Sequence, residues 1–278
     1  MEEDCAGVAA GSGHNAASPP SMLNHRSMED ANRCVARLAA TEYRGDADGL
    51  SWFASRIPSP VANIVVRTRL GTPPRAGVID VLLNTYRELG SPIAWLVGPA
   101  STPANLDEVL RAHGLVDQAQ LPLMNIDLAA NHAGALPPGV SIAEVVTESD
   151  VGIFTDIAAA AFECPRGAIG LWSDASMRMP RDGAVRSRLF LASLDGVPSA
   201  TAQLTVARGA AGVYAVSTSA NARGRGLGTA VTWAALNAGR EMGCRTGTLQ
   251  ASPMGVPVYR RMGFVDVGSI SLFGFGDK

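Results

Sequence analysis

Val213-Tyr214-Ala215-Val216-Ser217-Thr218-Ser219-Ala220-Asn221-Ala222-Arg223-Gly224-Arg225-Gly226-Leu227-Gly228-Thr229-Ala230 is the stretch around which the chain is organised. Its first residues, Val213 to Val216, are apolar and β-prone and read as a buried strand. A turn through Ser217–Ala222 follows. From Leu227 onward Leu227, Val231, Ala234, Ala238 and Met242 fall on one face of a helix. The glycines therefore stand where a strand hands over to a helix N-terminus. Without side chains they let backbone approach a ligand, and the first amides of a helix have no partner inside it. Those amides and the helix dipole favour an anion, most naturally a phosphate. Arg223 and Arg225 add fixed positive charge and paired donors.

The spacing decides which phosphate ligand fits. A dinucleotide fingerprint needs G-x-G-x-x-G, and counting from Gly224 or Gly226 that spacing fails. A nucleotide P-loop needs a lysine after its last glycine, but Lys278 is the only lysine in the chain. What is present is R-x-x-G-x-G, from Arg223 through Gly226 to Gly228. Between a strand and a helix, this loop resembles the acyl-CoA pyrophosphate loop of the GNAT superfamily of N-acyltransferases.

The 278 residues allow one large domain or two of ordinary size. At 47% hydrophobic and 17% charged, the chain has material for a core and is not of disordered composition. A formal net charge of −2 disfavours nucleic acid or an anionic membrane as a partner. No apolar run approaches the roughly 18 residues of a membrane span. The acidic start, Glu2-Glu3-Asp4, does not suit a secretory signal, so the expected location is cytoplasmic. Cys5, Cys34, Cys164 and Cys244 lie far apart without any C-x-x-C, and no metal site or disulfide frame is expected.

Residues 1–27, rich in Ala, Gly, Ser and Pro, read as a mobile tail. A short helix is expected over 28–40. An α/β unit follows, with strands at Val61–Leu70, Ile93–Val97 and Leu123–Leu128 and helices at Gly77–Leu89 and Asn105–His113. Its loop Leu70-Gly71-Thr72-Pro73-Pro74-Arg75 is a poor phosphate cradle, because two prolines remove two amide donors. Residues 131–139 read as a linker. Beyond it the expected order is strand, helix, helix, then a hairpin across Asp195-Gly196, the cradle strand and the cradle helix. A strand at Thr246–Gln250, a short helix at Val256–Met262 stopped by Gly263, and a last strand at Val265–Phe273 complete it.

That order is similar to the GNAT fold, and three further stretches carry the likeness. Val213-Tyr214-Ala215-Val216-Ser217-Thr218 looks like the family's bulged, splayed central strand. Leu249-Gln250-Ala251-Ser252 resembles the strand across the cleft, and Val258-Tyr259-Arg260-Arg261-Met262-Gly263-Phe264 the family's Tyr-x-x-x-Gly-Phe helix end. The N-terminal half is more loosely similar to the opening of tandem GNAT proteins, through Trp52–Asn63, Trp95–Pro99, Leu110–Leu115 and Met124–Leu128. The resemblance implies an α/β fold with a mixed sheet. It implies two tandem GNAT-like domains, a degenerate one at 28–130 and a catalytic one at 140–278.

It also implies roles. Acetyl-CoA would be the co-substrate, with the pantetheine arm on the backbone of Val216, Ser217 and Thr218. The pyrophosphate would lie on Arg223, Gly224, Arg225, Gly226, Leu227, Gly228 and Thr229, and Ser252 would touch the arm from the other side, a plain strand-end serine being the equal alternative. Tyr259 matches the general acid, since an unperturbed tyrosine is protonated at neutral pH and can donate to a thiolate. Glu163 and Asp174 lie where the family shapes its acceptor pocket and could bind an amine or relay its proton through water, though such a carboxylate is more often a solvated surface group. No base is visible. His113 reads as a helix cap, and His14, His25 and His132 carry no assignment. The expected reaction is acetyl transfer to a primary amine of a small molecule or peptide. A non-catalytic acyl-CoA-binding sensor or structural module is the alternative, and a homodimer is left open.

Overall fold

A computed structural model describes residues 19–39, 41, 43–71 and 75–276. Pro19 and Pro20 start the first helix, α1 (Pro20–Leu38), where a fixed φ suits the opening turn and a missing amide costs nothing. This corrects the tail reading. The helix begins well before Met28 and buries Asn24, His25 and Ser27, while residues 1–18 lie outside the described residues. Its buried face carries Glu29, Asp30 and Asn32 beside Met28 and Val35, so no clean apolar stripe announces it.

β1 (Tyr43–Ala47) and β2 (Leu50–Ala54) form a hairpin that the sequence reading did not assign. Its turn, Asp48-Gly49, has both residues left-handed (φ 52° and 79°), the geometry that Asp-Gly pairs favour. Then come β3 (Ile64–Thr68), α2 (Val78–Leu89), β4 (Ala94–Val97), α3 (Leu106–Ala112) and β5 (Leu115–Asp127). β5 starts at Leu115 rather than Leu123 because its mostly exposed first half is held by backbone pairing, not by an apolar pattern. Pro73-Pro74 lie outside the described residues.

The second half follows the expected order: β6 (Val140–Glu144), α4 (Glu148–Ala161), α5 (Arg166–Met177), β7 (Arg186–Leu194), β8 (Val197–Ala207), β9 (Ala210–Thr218), α6 (Leu227–Glu241), β10 (Thr246–Gln250), α7 (Val256–Met262) and β11 (Val265–Phe275). Thr147 and Asp150 close a reciprocal capping box at the start of α4.

All eleven strands lie in one sheet, ordered β1-β2-β3-β4-β11-β5-β10-β9-β8-β7-β6. The last strand is inserted into the first half, antiparallel to both β4 and β5. β5 in turn pairs with β10 of the second half. The loop at 131–139 therefore divides the chain without dividing the sheet. α6 packs Leu227, Val231, Ala235 and Leu236 onto Leu204, Val206, Ala211 and Val213 on one face. On the opposite face, Met28 of α1 and Trp172 of α5 meet Phe53, Leu123, Ile270 and Tyr214. Among the described residues no helix is long and apolar enough to cross a membrane.

Candidate functional site

β9 and β10 run parallel and pair at Ala210↔Thr246, Ala211↔Gly247 and Gly212↔Thr248, and there the pairing stops. Beyond that rung the strands part. On its other side β9 slips register against β8: Gln203 faces Tyr214 but Thr201 faces Ser217, so Ala215 and Val216 together oppose Ala202. Ala215 takes φ 48°, and the result is a β-bulge. Thr201 fastens it by donating from Oγ1 to the Ala215 carbonyl at 2.7 Å, while Ser217 Oγ lies 2.5 Å from the same hydroxyl. The Ser217 side chain is thereby committed to the bulge, and only its backbone is left for a ligand.

The splay opens into a cleft of about 700 Å³. Val216, Ser217 and Thr218 form one wall. Arg223, Gly224, Gly226, Leu227, Gly228 and Thr229 form the floor, and Ser252 and Tyr259 stand opposite. Glu163 reaches the lining from the turn after α4, exposed and with φ 52°. Two expected residues are not brought in. Arg225 is exposed outside the lining, and Asp174 is exposed on α5, away from the cleft. Sequence reasoning passed over Phe162, Met254 and Arg261, which the cleft includes. Phe162 and Met254 are 48% and 74% exposed, and large apolar side chains that open to solvent have no signature in a periodicity search.

The floor has the form of an anion cradle. Gly226 is the N-cap of α6 and is left-handed (φ 80°), as is Gly224 (φ 76°). The first bond into the helix runs from Ala230 N to Gly226 O at 2.9 Å, so the amides of Leu227, Gly228 and Thr229 precede it. Arg223 is folded over the loop, donating from Nε to Thr218 O at 3.3 Å. The glycines are not equivalent. A Cβ on Gly226 would lie 3.0 Å from Pro137 Cγ in a backbone conformation that side chains resist. A Cβ on Gly228 would meet only Thr218 Oγ1, at an ordinary 3.4 Å. The fold needs Gly226, whereas packing within the chain gives Gly228 no reason to lack a side chain.

Tyr259 lies on α7, half-buried, its ring edge-on to Phe264 at 5.6 Å between centroids. Burial pushes its hydroxyl up to about 12, so it holds its proton. Gly263 ends the helix left-handed (φ 101°), with Phe264 N donating to Tyr259 O at 3.0 Å. Ser252 serves the same helix from its other end: its hydroxyl accepts from Gly255 N at 3.2 Å and its carbonyl from Gly255 N and Val256 N. The residues implied from resemblance thus divide between the cleft, with backbone, glycines and Tyr259, and the scaffold, with Ser217 and Ser252 bonded within the chain. No cluster of three or more metal-ligating side chains exists among the described residues.

Residues 154–264 match the model of the acetyltransferase (GNAT) family, a span that runs from within α4 to the second residue after α7 and includes every wall of the cleft. No curated protein matches the sequence. Among solved structures, a GCN5-related N-acetyltransferase from Kribbella flavida is 21% identical, with a TM-score of 0.69 over 92% of this chain and 96% of that one. A tandem GNAT protein from the clavulanic acid biosynthesis pathway is 16% identical, with a TM-score of 0.59 over 90% of this chain and 89% of that one. A GCN5-related N-acetyltransferase from Sphaerobacter thermophilus is 15% identical, with a TM-score of 0.58 over 92% and 91% of the two chains. At such identities the likeness is one of fold, and it spans both halves. Residues 154–264 match a GNAT-family domain, and the chain as a whole has the fold of the tandem GNAT proteins.

Proposed function

We propose that the protein transfers an acetyl group from acetyl-CoA to a primary amine of a small molecule or peptide. The observation that carries this reading is the open N-terminus of α6, whose glycine cradle faces the gap between two parted strands. The amides of Leu227, Gly228 and Thr229 and the Arg223 guanidinium would hold the pyrophosphate. The backbone of Val216 and Thr218, released from pairing with β10, would hold the pantetheine arm. When bound, the co-substrate supplies a thioester. The amine nitrogen bonds to its carbonyl carbon, the carbon–sulfur bond breaks, and the nitrogen sheds a proton to water, which afterwards returns one to Tyr259. Tyr259 gives its own proton to the departing sulfur, and an amide near Val216 polarises the carbonyl oxygen. Glu163 lies at the cleft wall, where it can meet the incoming amine.

One observation favours a second reading, a module that binds acyl-CoA without turnover. Glu163 is the only carboxylate in the lining, no histidine is present there, and so no evident base stands within the cleft. Steady release of free CoA with any amine removes that reading.

Gly228 tests the cradle itself. Because a Cβ there meets the chain only at 3.4 Å, Gly228→Ala should fold normally and Gly228→Val nearly so. In calorimetric titration the wild type should bind acetyl-CoA, the alanine variant more weakly and the valine variant not measurably. A folded Gly228→Val protein with undiminished affinity would remove the pyrophosphate from this loop.

A further inference from the structure

A second, smaller cavity of about 190 Å³ lies on the α1 face of the sheet, deeper along the same gap between β9 and β10. Along the two strands from the last paired rung, Gly212↔Thr248, Tyr214 and Gln250 come next and then Val216 and Ser252; the bulge at Ala215 and Val216 sets Val216 on the α6 face, while Tyr214 faces α1. Val216 and Ser252 line the cleft, and Tyr214 and Gln250 line the smaller cavity. At about 3.3 Å per residue, the two levels of the gap are about 7 Å apart.

The walls of this deeper pocket are unusual for a protein interior. Asn32, Gln203, Thr205, Tyr214 and Gln250 are polar, and no lining residue is charged. Gln203 is positioned by donating to Ser176 Oγ at 2.8 Å and Thr205 Oγ1 at 3.1 Å. Gln250 is positioned by donating to Asn24 Oδ1 at 2.7 Å. Tyr214 is the exception. Its hydroxyl is buried without a hydrogen-bond partner among the described residues, a desolvation cost that a structural tyrosine need not carry. Burial also holds its proton on, leaving it a donor with nothing to donate to. The remaining wall is Trp172 of α5 and, from the first half of the chain, Met28, Ala31, Asn32 and Val35 of α1, spaced along one helix face.

We infer that this pocket seats the far end of the acceptor, and that it selects an uncharged polar group, such as a carboxamide or hydroxyl, donated to by Tyr214. A charged end would be buried without a counter-charge, and an alkyl end would leave the Tyr214 hydroxyl without a partner, so both are disfavoured. The inference rests on the cleft being the acyl-donor site, and it assigns α1 a part in acceptor choice.

Three amines of similar size separate the cases: β-alaninamide, β-alanine and butylamine, titrated calorimetrically into the protein saturated with CoA. β-Alaninamide should bind at least tenfold more tightly than either of the others. Tyr214→Phe should abolish that preference while leaving CoA affinity unchanged and raising the melting temperature, since it deletes an unsatisfied hydroxyl. Ala31→Met, which fills the pocket from α1, should do the same to binding. Equal binding of the three amines, or a preference that persists in folded Tyr214→Phe, overturns the assignment. So does a shift of acyl-chain preference in Ala31→Met with amine binding intact, which would give the pocket to the acyl group. If CoA itself fails to bind, the donor-site reading falls, and the same titrations on the free protein still judge the pocket.

Discussion

Tyr259 and Tyr214 show how little a residue type says until its surroundings are known. Both are buried enough to keep their protons, yet Tyr259 faces the cleft from α7 while Tyr214 looks into the smaller pocket on the α1 face. As the acid, Tyr259→Phe should lower kcat by about a hundredfold or more with little change in KM for acetyl-CoA, because the hydroxyl acts in the transition state. An unchanged kcat, measured where chemistry limits the rate, returns Tyr259 to packing against Phe264. The pH dependence has a definite sign. A hydroxyl raised to about 12 stays protonated below that value, so alkali up to about pH 10 should only raise the rate as the amine loses its proton. A descending limb at lower pH would identify another group as the acid. Tyr259 was legible in sequence because the left-handed Gly263 and buried Phe264 that close its helix are local requirements. Tyr214 was not, since its missing partner is a property of what surrounds it. The fate of Asp174 is similar: its place after Glu163 in the chain says nothing of which way α5 turns it.

α1 is the element whose importance the sequence conceals. Asn24 donates to Met124 O at 3.0 Å and Asn125 Oδ1 at 2.7 Å and accepts from Gln250, tying the helix to β5 and β10. One turn further, Glu29 takes a paired salt link from Arg69 at 2.8 and 2.6 Å, and His25 accepts from Ala100 N at 3.0 Å. These contacts are polar and distant in sequence, so neither apolar periodicity nor propensity reports them. By contrast α6 and its glycines were readable, because strand, turn and amphipathic helix follow one another directly. The pinning has a pH signature. Burial, helped by Arg69 and Arg26, lowers His25 from 6.5 to about 4. Between those values the unfolded chain holds more protons, so stability rises with pH and is lost as pH falls from about 6.5 through 4, on the order of a few kcal/mol. Glu29, raised by its burial, works in the opposite direction. Urea midpoints should therefore fall more steeply with acid in the wild type than in His25→Asn. Parallel slopes would mean that His25 contributes nothing to the acid sensitivity.

Across the whole molecule, the two halves repeat a pattern but only one offers a gap. In the first half the comparable parallel pair, β3 and β4, is stitched together past its end. Ile64↔Ala94 and Val65↔Trp95 are followed by a bridge between Arg69 and Thr102, with Thr102 N donating to Thr68 O and Leu70 N to Thr102 O. Trp95 fills the space between, its Nε1 donating to Thr68 Oγ1 at 2.8 Å. Titration of the intact chain should give one CoA per protein, and none with Gly228→Val. Two sites at micromolar ligand would mean that the closed strands can open. The alternation of strands and helices in both halves could be read from sequence. The strand order could not, because no local signal tells β11 to leave its neighbours and lie between β4 and β5.

That insertion bears on how the protein is made. Synthesis runs from the N-terminal side, so β4 and β5 are complete long before Val265 is added, and until then each presents an unpaired edge toward a place still vacant. The first half cannot finish folding on its own schedule; it waits for β11. A ribosome that stalls or a protease that clips near the C-terminus thus damages the end of the molecule farthest away in sequence, and the nascent chain carries a long, exposed invitation to pair wrongly for most of its birth.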